Sequence, residues 1–542
     1  MLSLSLHIMN RKTTKNTGSI KYPIGIQDFA SLINGGYLYV DKTQFIMQLT
    51  GIGKYFFLSR PRRFGRSLFL STLRAYYEGR RELFSGLAVD KYDHDWTPRP
   101  VMHLMFNDMT YNTPEALLEK LNFYISSLEK TYDCAVDIDS PSLRFGNVIR
   151  NAATRTGQKV VILIDEYDKP LLDTVDDPHL QQQMRDILKG LYGNLKAMDE
   201  FIEFAMLTGV TRFGKLSIFS DINNLRDISL NPDFSDICGI TTDEIDAYFR
   251  TGIEKFAEVY NISYSDALAL LKENYDGYCF APGGKDIYNP FSILSALADR
   301  RISNYWYDTG TPSFLIKMIR SRQLRPRDVE SMKVQINSLR NSPFDLGNFA
   351  AVMYQSGYLT IKDFDPRFDT VTLGYPDREV AQSLTEQLLA IQTHDRTLQS
   401  SEFALSEFVK DLENGDAESF MTRLQSLFAQ IQYDQIDLGH LEQTYQNVVY
   451  LLSKLMGYYT KAEMRTSQGR IDLVVATPEY IYIFEFKVDS TPQVAMEQID
   501  SRGHLLPFKA NGRQLVKIGA NFSTRTRTLD SWLIQYDTCA GE

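Results

Sequence analysis

The segment Arg470–Lys487 constrains the fold of this chain more than any other stretch. It contains two runs of β-branched and aromatic residues separated by a short proline-containing turn, which predicts two antiparallel strands. Because side chains alternate along a strand, Glu485 and Lys487 share one face of the second strand. Antiparallel pairing brings Asp472, on the first strand, against this polar pair. The sequence therefore predicts a hairpin that carries a D-x12-E-x-K cluster.

The cluster fits metal-assisted hydrolysis of phosphodiesters. The carboxylates of Asp472 and Glu485 are the hard oxygen ligands that Mg²⁺ prefers, with Mn²⁺ as the alternative ion. A bound ion lowers the pKa of a coordinated water, and Lys487 is placed to orient that water or to stabilise negative charge. Glu463 is a further ligand candidate, with a charge at a strand edge as its alternative. The alternative for the whole cluster is a solvated ion pair on an edge strand.

The segments around the hairpin predict the order helix, three strands, helix, strand. Apolar residues recur at helical spacing over residues 441–456, upstream of the hairpin. Downstream, Gln493–Arg502 predicts a helix and Leu515–Gly519 a strand. This order and the cluster resemble the PD-(D/E)xK nuclease superfamily. The resemblance implies a set of catalytic and supporting side chains: Asp472, Glu485, Lys487, Gln498 and Glu442.

Length and charge bound the remaining possibilities. With 542 residues the chain has room for about three domains. Its 43% hydrophobic and 12% aromatic residues are enough to form buried cores. The net charge of −10 argues against a generally basic nucleic-acid-binding surface but is compatible with local basic grooves. Basic residues near the hairpin are candidates for phosphate contacts: Arg465, Arg470, Lys509, Arg513, Arg525 and Arg527.

Cysteine usage and hydropathy indicate a cytoplasmic protein. The four cysteines are scattered without a C-x-x-C pair, so they indicate neither a zinc site nor a disulfide framework, and they fit a reducing cytosol. The short apolar run near the N terminus has no basic region ahead of it, so it predicts no signal peptide. No run of 18 apolar residues occurs, which predicts no membrane span.

A second constraint is a strand, a basic loop and a helix near the N terminus. Tyr55–Ser59 predicts the strand, and RPRRFGRS follows with the glycine, basic residue and serine that open the helix of a phosphate-binding P-loop. Arg60 stands where the first glycine of that motif belongs, and Arg66 replaces its lysine, for which arginine is not an equivalent phosphate ligand. An exposed basic turn is the alternative. The predicted nucleotide-binding residues of the loop are Arg60, Arg62, Arg63, Phe64, Gly65, Arg66 and Ser67, with Ser67 also on Mg²⁺.

The segment Lys159–Leu172 favours nucleotide binding. It predicts an apolar strand that ends in Asp165 and Glu166, which is the pattern of a Walker B element. We expect Asp165 to hold Mg²⁺ through water and Glu166 to polarise the attacking water. A buried strand ending in an acidic helix cap is the alternative.

A third apolar strand, Phe201–Leu207, also ends in polar residues. Thr208, Thr211 and Arg212 lie where sensor residues sit in P-loop ATPases. Further along, Arg226 is a candidate second sensor or arginine finger, with a structural arginine as the equal alternative.

Several motifs together resemble the AAA-ATPase-like family of bacterial proteins. They are YVDKT, FLSRPRRFGRSLFLSTL, LIDEYDKPL, TGVTRF, YDGYCF, YNPFS and YWYDTGTPSFL. With the C-terminal hairpin included, the resemblance covers nearly the whole chain. Family members usually carry lysine where this chain has Arg66. The resemblance implies an N-terminal ATPase-like module and a C-terminal nuclease-like domain, ATP and Mg²⁺ as cofactors and nucleic acid as partner. It leaves formation of a homo-oligomer open.

These segments predict an α/β protein in five parts. Residues 1–21 are expected to form a mobile tail, 22–235 a P-loop domain with a parallel sheet, 236–330 a helical lid or winged-helix-like module, 331–435 a mostly helical connecting region, and 436–542 the nuclease-like domain. The predicted function is an ATP-regulated, Mg²⁺-dependent nuclease. One alternative is a nucleotide-binding switch or interaction protein whose nuclease-like fold does not cut, and another is an uncoupled NTPase.

Two local predictions concern the chain outside these motifs. The folded part is expected to open with a strand near Tyr22. Thr241 or Thr242 is expected to cap a helix, because a threonine hydroxyl followed by acidic residues satisfies the first free N–H groups.

Overall fold

The computed structural model describes residues 20–93, 95–212, 225–308, 329–340, 348–393, 405–429, 441–457, 459–466, 469–510 and 512–537. The chain divides into two compact units. The N-terminal unit comprises Met1–Trp306 and Val334–Val371, and the C-terminal unit comprises Tyr307–Lys333 and Thr372–Glu542. The finer division into five parts stays a prediction. In the described part of the chain, no helix combines the length and apolarity needed to cross a membrane.

A parallel five-stranded sheet forms the centre of the N-terminal unit. Its strands are β1 (Tyr55–Ser59), β2 (Val101–Met105), β3 (Val160–Asp165), β4 (Ile202–Gly209) and β5 (Arg226–Asp227). They lie in the order β2-β3-β4-β1-β5. The inner strands β1, β3 and β4 are apolar runs, and parallel sheets bury such runs because helices cover both faces. The carboxyl ends of these three strands therefore meet at one edge of the sheet, where the predicted nucleotide-binding residues follow them.

Helices surround this sheet. Those from the N terminus to the last sheet strand are α1 (Phe29–Asn34), α2 (Gln44–Ile52), α3 (Arg66–Tyr77), α4 (Ala88–Tyr92), α5 (Pro114–Tyr132), α6 (Pro141–Thr156), α7 (Lys169–Asp173), α8 (Pro178–Tyr192) and α9 (Asn194–Ala197). Helix α3 begins directly after Gly65, whose φ of 98° lies in the left-handed region that favours glycine. Its apolar residues, among them Phe69, Leu70 and Leu73, are buried. The loop before α3 is thereby fixed at both ends.

A mostly helical segment follows the parallel sheet along the chain. It contains α10 (Thr242–Tyr248), α11 (Arg250–Tyr260), α12 (Tyr264–Tyr275), α13 (Pro290–Asp299) and α14 (Tyr305–Asp308), with short antiparallel strands β6 (Ile240–Thr241) and β7 (Ile287–Tyr288). Thr241 and Glu244 form a capping box at α10, so the predicted cap is confirmed at Thr241. The strand expected near Tyr22 is wrong: residues 20–28, all described, form no strand, because Pro23 and Gly25 interrupt the segment.

A three-stranded sheet follows along the chain. Its strands are β8 (Met332–Gln335), β9 (Thr360–Asp365) and β10 (Thr370–Gly374), in the order β8-β10-β9. Between β8 and β9 lie α15 (Ile336–Leu339) and α16 (Phe349–Gln355). Every residue of α16 is buried, so this short helix is part of the interior of the N-terminal unit.

The C-terminal unit is built on a mixed sheet of order β11-β12-β13-β14-β15. Its strands are β11 (Tyr459–Thr466), β12 (Gly469–Ala476), β13 (Tyr480–Val488), β14 (Gln514–Ser523) and β15 (Thr528–Asp537), and its helices are α17 (Arg378–Thr393), α18 (Leu405–Glu413), α19 (Ala417–Ala429), α20 (Leu441–Leu455) and α21 (Pro492–Ser501). Only β13 and β14 pair in parallel. From α20 to β14 the chain follows the predicted order of helix, three strands, helix and strand. Strand β13 lies in the middle of the sheet, so the edge-strand alternative for its polar residues is wrong.

Candidate functional sites

The acidic hairpin of the C-terminal unit has the predicted geometry. Strands β12 and β13 pair with Leu473 opposite Phe484, so Asp472 lies beside Glu485 across the ladder. The Asp472 carboxylate accepts a hydrogen bond of 2.9 Å from the backbone N–H of Phe486. Only 1% of the Glu485 side chain is exposed. The two carboxylates are thus close together, and one of them is held inside the fold.

Helix α21 brings a further polar side chain to Glu485. The Lys487 ammonium donates to Glu485 Oε1 and to Gln498 Oε1, both at 2.9 Å, and the Gln498 amide also donates to Glu485 Oε1. Thr491 fixes the start of α21, since its hydroxyl accepts from the backbone N–H of Val494. The structure therefore joins Glu485, Lys487 and Gln498, three of the predicted residues, in one hydrogen-bonded set.

The electrostatics of Glu485 are unusual for a glutamate. Burial, together with the neighbouring charge of Asp472, raises the pKa of Glu485 to about 7, and Lys487 opposes the shift. Its second oxygen, Oε2, is buried and has no hydrogen-bond partner among the described residues. A buried carboxylate oxygen of this kind needs a partner when it is ionised, because desolvation of a charge is costly.

These features fit a hard divalent cation. Asp472 and Glu485 supply adjacent oxygen ligands, and Glu485 Oε2 has no other partner within the described part of the chain. Mg²⁺ is commonly bound by one or two carboxylates while it keeps several waters. Among the described residues, no group of three or more Asp, Glu, His or Cys side chains is arranged to hold a metal ion. The acidic pair therefore suits an ion that takes its remaining ligands from water and substrate.

Several predicted residues of this unit cannot be placed at the site. Helix α20 carries Glu442, β11 carries Glu463 and Arg465, and β12 begins with Gly469 and Arg470, but the side chains of these residues lie outside the described part of the structure. Their roles stay predictions. The other candidates for phosphate contacts, Lys509, Arg513, Arg525 and Arg527, are exposed or half-buried.

Sequence reasoning missed His504, which lies in the turn after α21. Its imidazole is fully buried, with Nδ1 3.9 Å from Glu485 Oε2. Burial lowers the pKa of His504, and the positive charges of Arg502 and Lys487 lower it further, so the ring is neutral near pH 7. The available signal was a single histidine in an otherwise apolar segment directly after the helix that carries Gln498.

In the N-terminal unit, the first residue of the basic loop points inward. Arg60 is 1% exposed, and its guanidinium donates to the backbone carbonyls of Ser59, Ser229 and Phe234, each at 2.9 Å. It also lies 4.6 Å from the centre of the Phe280 ring. Both terminal nitrogens of its guanidinium are thus engaged by the protein itself, whereas the sequence predicted that they would face phosphate.

The rest of the loop is divided between exposed and buried residues. Arg62, Arg63 and Gly65 are exposed, while Phe64 is packed against Tyr278 and Phe280. Arg63 has a φ of 69°, so two residues of the loop adopt left-handed backbone conformations. Exposed arginines and a helix N-terminus together make a surface that favours anions.

The predicted Walker B residues lie next to this loop. Asp165, at the end of β3, accepts hydrogen bonds from the Thr208 hydroxyl at 2.7 Å and from the backbone N–H of Glu166. Its other oxygen and Arg66 Nη1 are buried without hydrogen-bond partners in the described residues. Arg66 Nη2 lies 3.8 Å from Glu166. Burial raises the pKa of Glu166, and Arg66 opposes that shift.

The predicted sensor residues have partners within the unit. Asp168, which the sequence analysis missed, is buried and accepts from the backbone N–H groups of Val210 and Thr211 and from the Thr211 hydroxyl. Arg212 forms an ion pair of 2.7 Å with Asp227 on β5. Exposed Arg226 donates to the carbonyl of Ile52, a structural contact. The signal for Asp168 was the third acidic residue of LIDEYD.

An apolar cavity adjoins the basic loop. Its empty volume of about 600 Å³ includes space that is open to solvent. Phe64 and Gly65 of the loop form part of its wall, together with Tyr39, Lys42 and Cys238.

Two family models match the chain in the expected places. The family described as predicted AAA-ATPase matches residues 23–219, and the PD-(D/E)XK nuclease superfamily matches residues 440–532. An uncharacterized protein from the vnfD 5' region of Azotobacter chroococcum mcd 1 is 35% identical over 530 residues, with 95% of this chain and 99% of that protein covered. The chain belongs to this AAA-ATPase-like family. The architecture of AAA-ATPase-like part and PD-(D/E)XK part expected from the sequence is confirmed.

This AAA-ATPase-like protein also matches a solved structure. It is that of the Aeropyrum pernix ORC2 protein in ADPNP-ADP complexes, with 11% identity over 69% of this chain and 96% of that chain. The TM-score of 0.18 is too low for this match to support an argument.

Proposed function

We propose that this AAA-ATPase-like protein is a Mg²⁺-dependent phosphodiester hydrolase that acts on nucleic acid and is regulated by ATP. The observation that carries the proposal is the buried Glu485 carboxylate, which lies beside Asp472, hydrogen-bonds Lys487 and leaves one oxygen without a partner among the described residues. Such a cluster on a nuclease-like sheet has the groups that phosphodiester hydrolysis requires.

Each residue of the cluster has a proposed task. Asp472 and Glu485 would hold the cation, which when bound lowers the pKa of a water and neutralises phosphate charge. Lys487 stabilises negative charge that develops on the phosphate. Gln498 holds the Lys487 ammonium and the Glu485 carboxylate in place through its amide. Mn²⁺ is the alternative ion, since it takes the same oxygen ligands.

The N-terminal unit supplies the proposed ATP site. Arg62, Arg63 and the N-terminus of α3 would contact the phosphates, and Ser67 and the unpartnered oxygen of Asp165 would hold the accompanying Mg²⁺. The adenine would enter the apolar cavity beside Phe64 and Gly65. Arg66, Glu166, Thr208 and Arg212 would surround the phosphates from the ends of the neighbouring strands. We leave Arg60 out of this set because its donors are bonded to backbone carbonyls.

The proposed regulation rests on contacts of the basic loop, and of Arg212 beyond β4, with two segments that lead into the C-terminal unit. Trp306, the last residue before the chain first enters that unit, donates to the Arg62 carbonyl at 3.0 Å. Gln355 of α16 accepts from the backbone N–H of Arg212 at 2.9 Å. Gly357 approaches the loop so closely that a Cβ there would lie 2.7 Å from Pro61 Cβ. A change of the loop on ATP binding would therefore displace these segments.

Cleavage assays test the nuclease proposal. Purified protein is incubated with plasmid, linear and single-stranded DNA and RNA, with Mg²⁺, Mn²⁺ or EDTA. We expect metal-dependent cutting that falls at least about 100-fold in Lys487→Met, because loss of one group that stabilises transition-state charge costs this much. Lys517→Met is the matched control, since Lys517 on β14 pairs with Asp500 instead.

The same cleavage assay distinguishes our proposal from the main alternative. A nucleotide-binding switch with a non-cutting nuclease-like fold is favoured by Arg66, which replaces the usual lysine and lies near Glu166. If no substrate is cut under any condition while the wild type binds ATP, that alternative replaces our proposal. A cytoplasmic location and formation of a homo-oligomer stay predictions from the sequence.

A further inference from the structure

The turn after α21 places a histidine in the interior of the C-terminal unit. Gly503, with a φ of 59°, is the left-handed residue that ends the helix, and the backbone N–H of His504 returns to the Ile499 carbonyl at 3.0 Å. This is the Schellman arrangement, in which the residue after the glycine usually packs as an apolar contact. Here that position is occupied by a fully buried imidazole.

The buried imidazole has no protein partner in the described part of the chain. Neither Nδ1 nor Nε2 of His504 makes a hydrogen bond there, and neither does Glu485 Oε2, which lies 3.9 Å from Nδ1. A buried polar group without a hydrogen-bond partner destabilises the folded state. The His504 imidazole and Glu485 Oε2 lie near each other, and their lack of partners is explained if they interact when the site binds a metal ion.

The distance between them indicates how they act. A direct hydrogen bond requires about 3 Å between donor and acceptor. Catalytic hydrogen bonds in unliganded structures are often longer and shorten when the ligand binds. One water can also bridge such a gap. The groups around the ring are Glu485, with Lys487 and Arg502 as the nearby positive charges. A neutral ring has one N–H to donate, and Glu485 Oε2, 3.9 Å from Nδ1, is an oxygen without a hydrogen-bond partner among the described residues.

We propose that His504 is a positioning residue for Glu485, whose Oε2 accepts a hydrogen bond from Nδ1–H, directly or through one water, when Glu485 binds the metal ion. The proposal deepens the nuclease proposal and rests on it. Such a contact fixes the carboxylate so that its lone pairs face the ion. Partners of metal ligands commonly account for 10- to 100-fold in metal affinity.

Titration of the full chain with Mn²⁺ alone, followed by the electron paramagnetic resonance signal of the free ion, tests this without nucleic acid. His504→Phe keeps a ring but removes both nitrogens, and we expect it to weaken Mn²⁺ binding by about 10-fold or more. His504→Asn keeps an N–H donor near the position of Nδ1, and we expect affinity within about threefold of the wild type.

Thermal unfolding of the metal-free variants separates positioning from a structural role. His504→Phe should unfold at or above the wild-type temperature, because it replaces an unpartnered polar ring by an apolar one. Equal Mn²⁺ affinity in the wild type and His504→Phe overturns the inference, as does equal weakening in the Phe and Asn variants. A wild type that binds no Mn²⁺ at the Asp472 and Glu485 site instead overturns the nuclease proposal itself.

Discussion

Glu485→Gln should stabilise the metal-free C-terminal unit at pH 8 and leave its stability nearly unchanged at pH 5. Burial and the charge of Asp472 raise the pKa of Glu485 from 4.5 to about 7. The folded protein therefore binds this proton more tightly than the unfolded chain does, so folding stability is greatest at low pH. It falls as the pH rises from about 4.5 to about 7, and the loss is complete at pH 8.

The size of the change in folding stability follows from the pKa shift of Glu485. A difference of about 2.5 pKa units corresponds to about 3.4 kcal/mol at 1.36 kcal/mol per unit, as an upper limit at pH 8. This shift already includes the opposing hydrogen bond from Lys487, so the weaker hydrogen bond of a glutamine needs no separate subtraction. The gain is therefore up to about 3.4 kcal/mol, or roughly 7–14 °C in Tm for a unit of about 200 residues.

Differential scanning calorimetry in EDTA at pH 5 and pH 8 measures this gain in the transition of the C-terminal unit. Glu497→Gln, which removes an exposed charge from α21, is the matched control and should change stability by less than about 0.5 kcal/mol at either pH. A Glu485→Gln variant that is destabilised at pH 8, or shifted equally at both pH values, would refute the argument that burial of this carboxylate costs stability.

Two further predictions concern the basic loop. Arg60→Met should lower the free energy of unfolding of the N-terminal unit by about 2–4 kcal/mol in urea denaturation, because it leaves buried carbonyls without donors. A variant as stable as the wild type would contradict the structural role of Arg60. Gly65→Ala should weaken binding of a fluorescent ATP analogue at least about fivefold, since its φ of 98° strains any other residue. Gly157→Ala, with a φ of 69° at the end of α6, is the control and should not change that affinity.

The parts of the fold that the sequence predicted have strong local patterns. At its carboxyl end β13 alternates apolar and polar residues, and its pairing register with β12 places Asp472 beside Glu485. The apolar run of β3 predicts a buried parallel strand with Asp165 at its end. In both cases neighbours in sequence determine the result.

The parts that the sequence did not predict depend on distant contacts. Arg60 bonds carbonyls 169 and 174 residues further along the chain, at Ser229 and Phe234, and no local pattern shows that an arginine of a basic loop points inward. His504 is buried because the turn at Gly503 directs it back into the fold, and its proposed role depends on Glu485, 19 residues upstream. Interpretation of isolated polar residues requires the tertiary structure.

The most direct test of the proposed function is the rate of metal-dependent cleavage with and without ATP, in the wild type and in Asp165→Asn. This substitution keeps the size of the side chain but removes the charge that would hold the Mg²⁺ of the nucleotide. We predict that ATP changes the wild-type rate at least about fivefold, and that Asp165→Asn cuts at the nucleotide-free rate whether or not ATP is present. Cleavage that vanishes in Lys487→Met but is identical with and without ATP in the wild type would contradict regulation by the N-terminal unit.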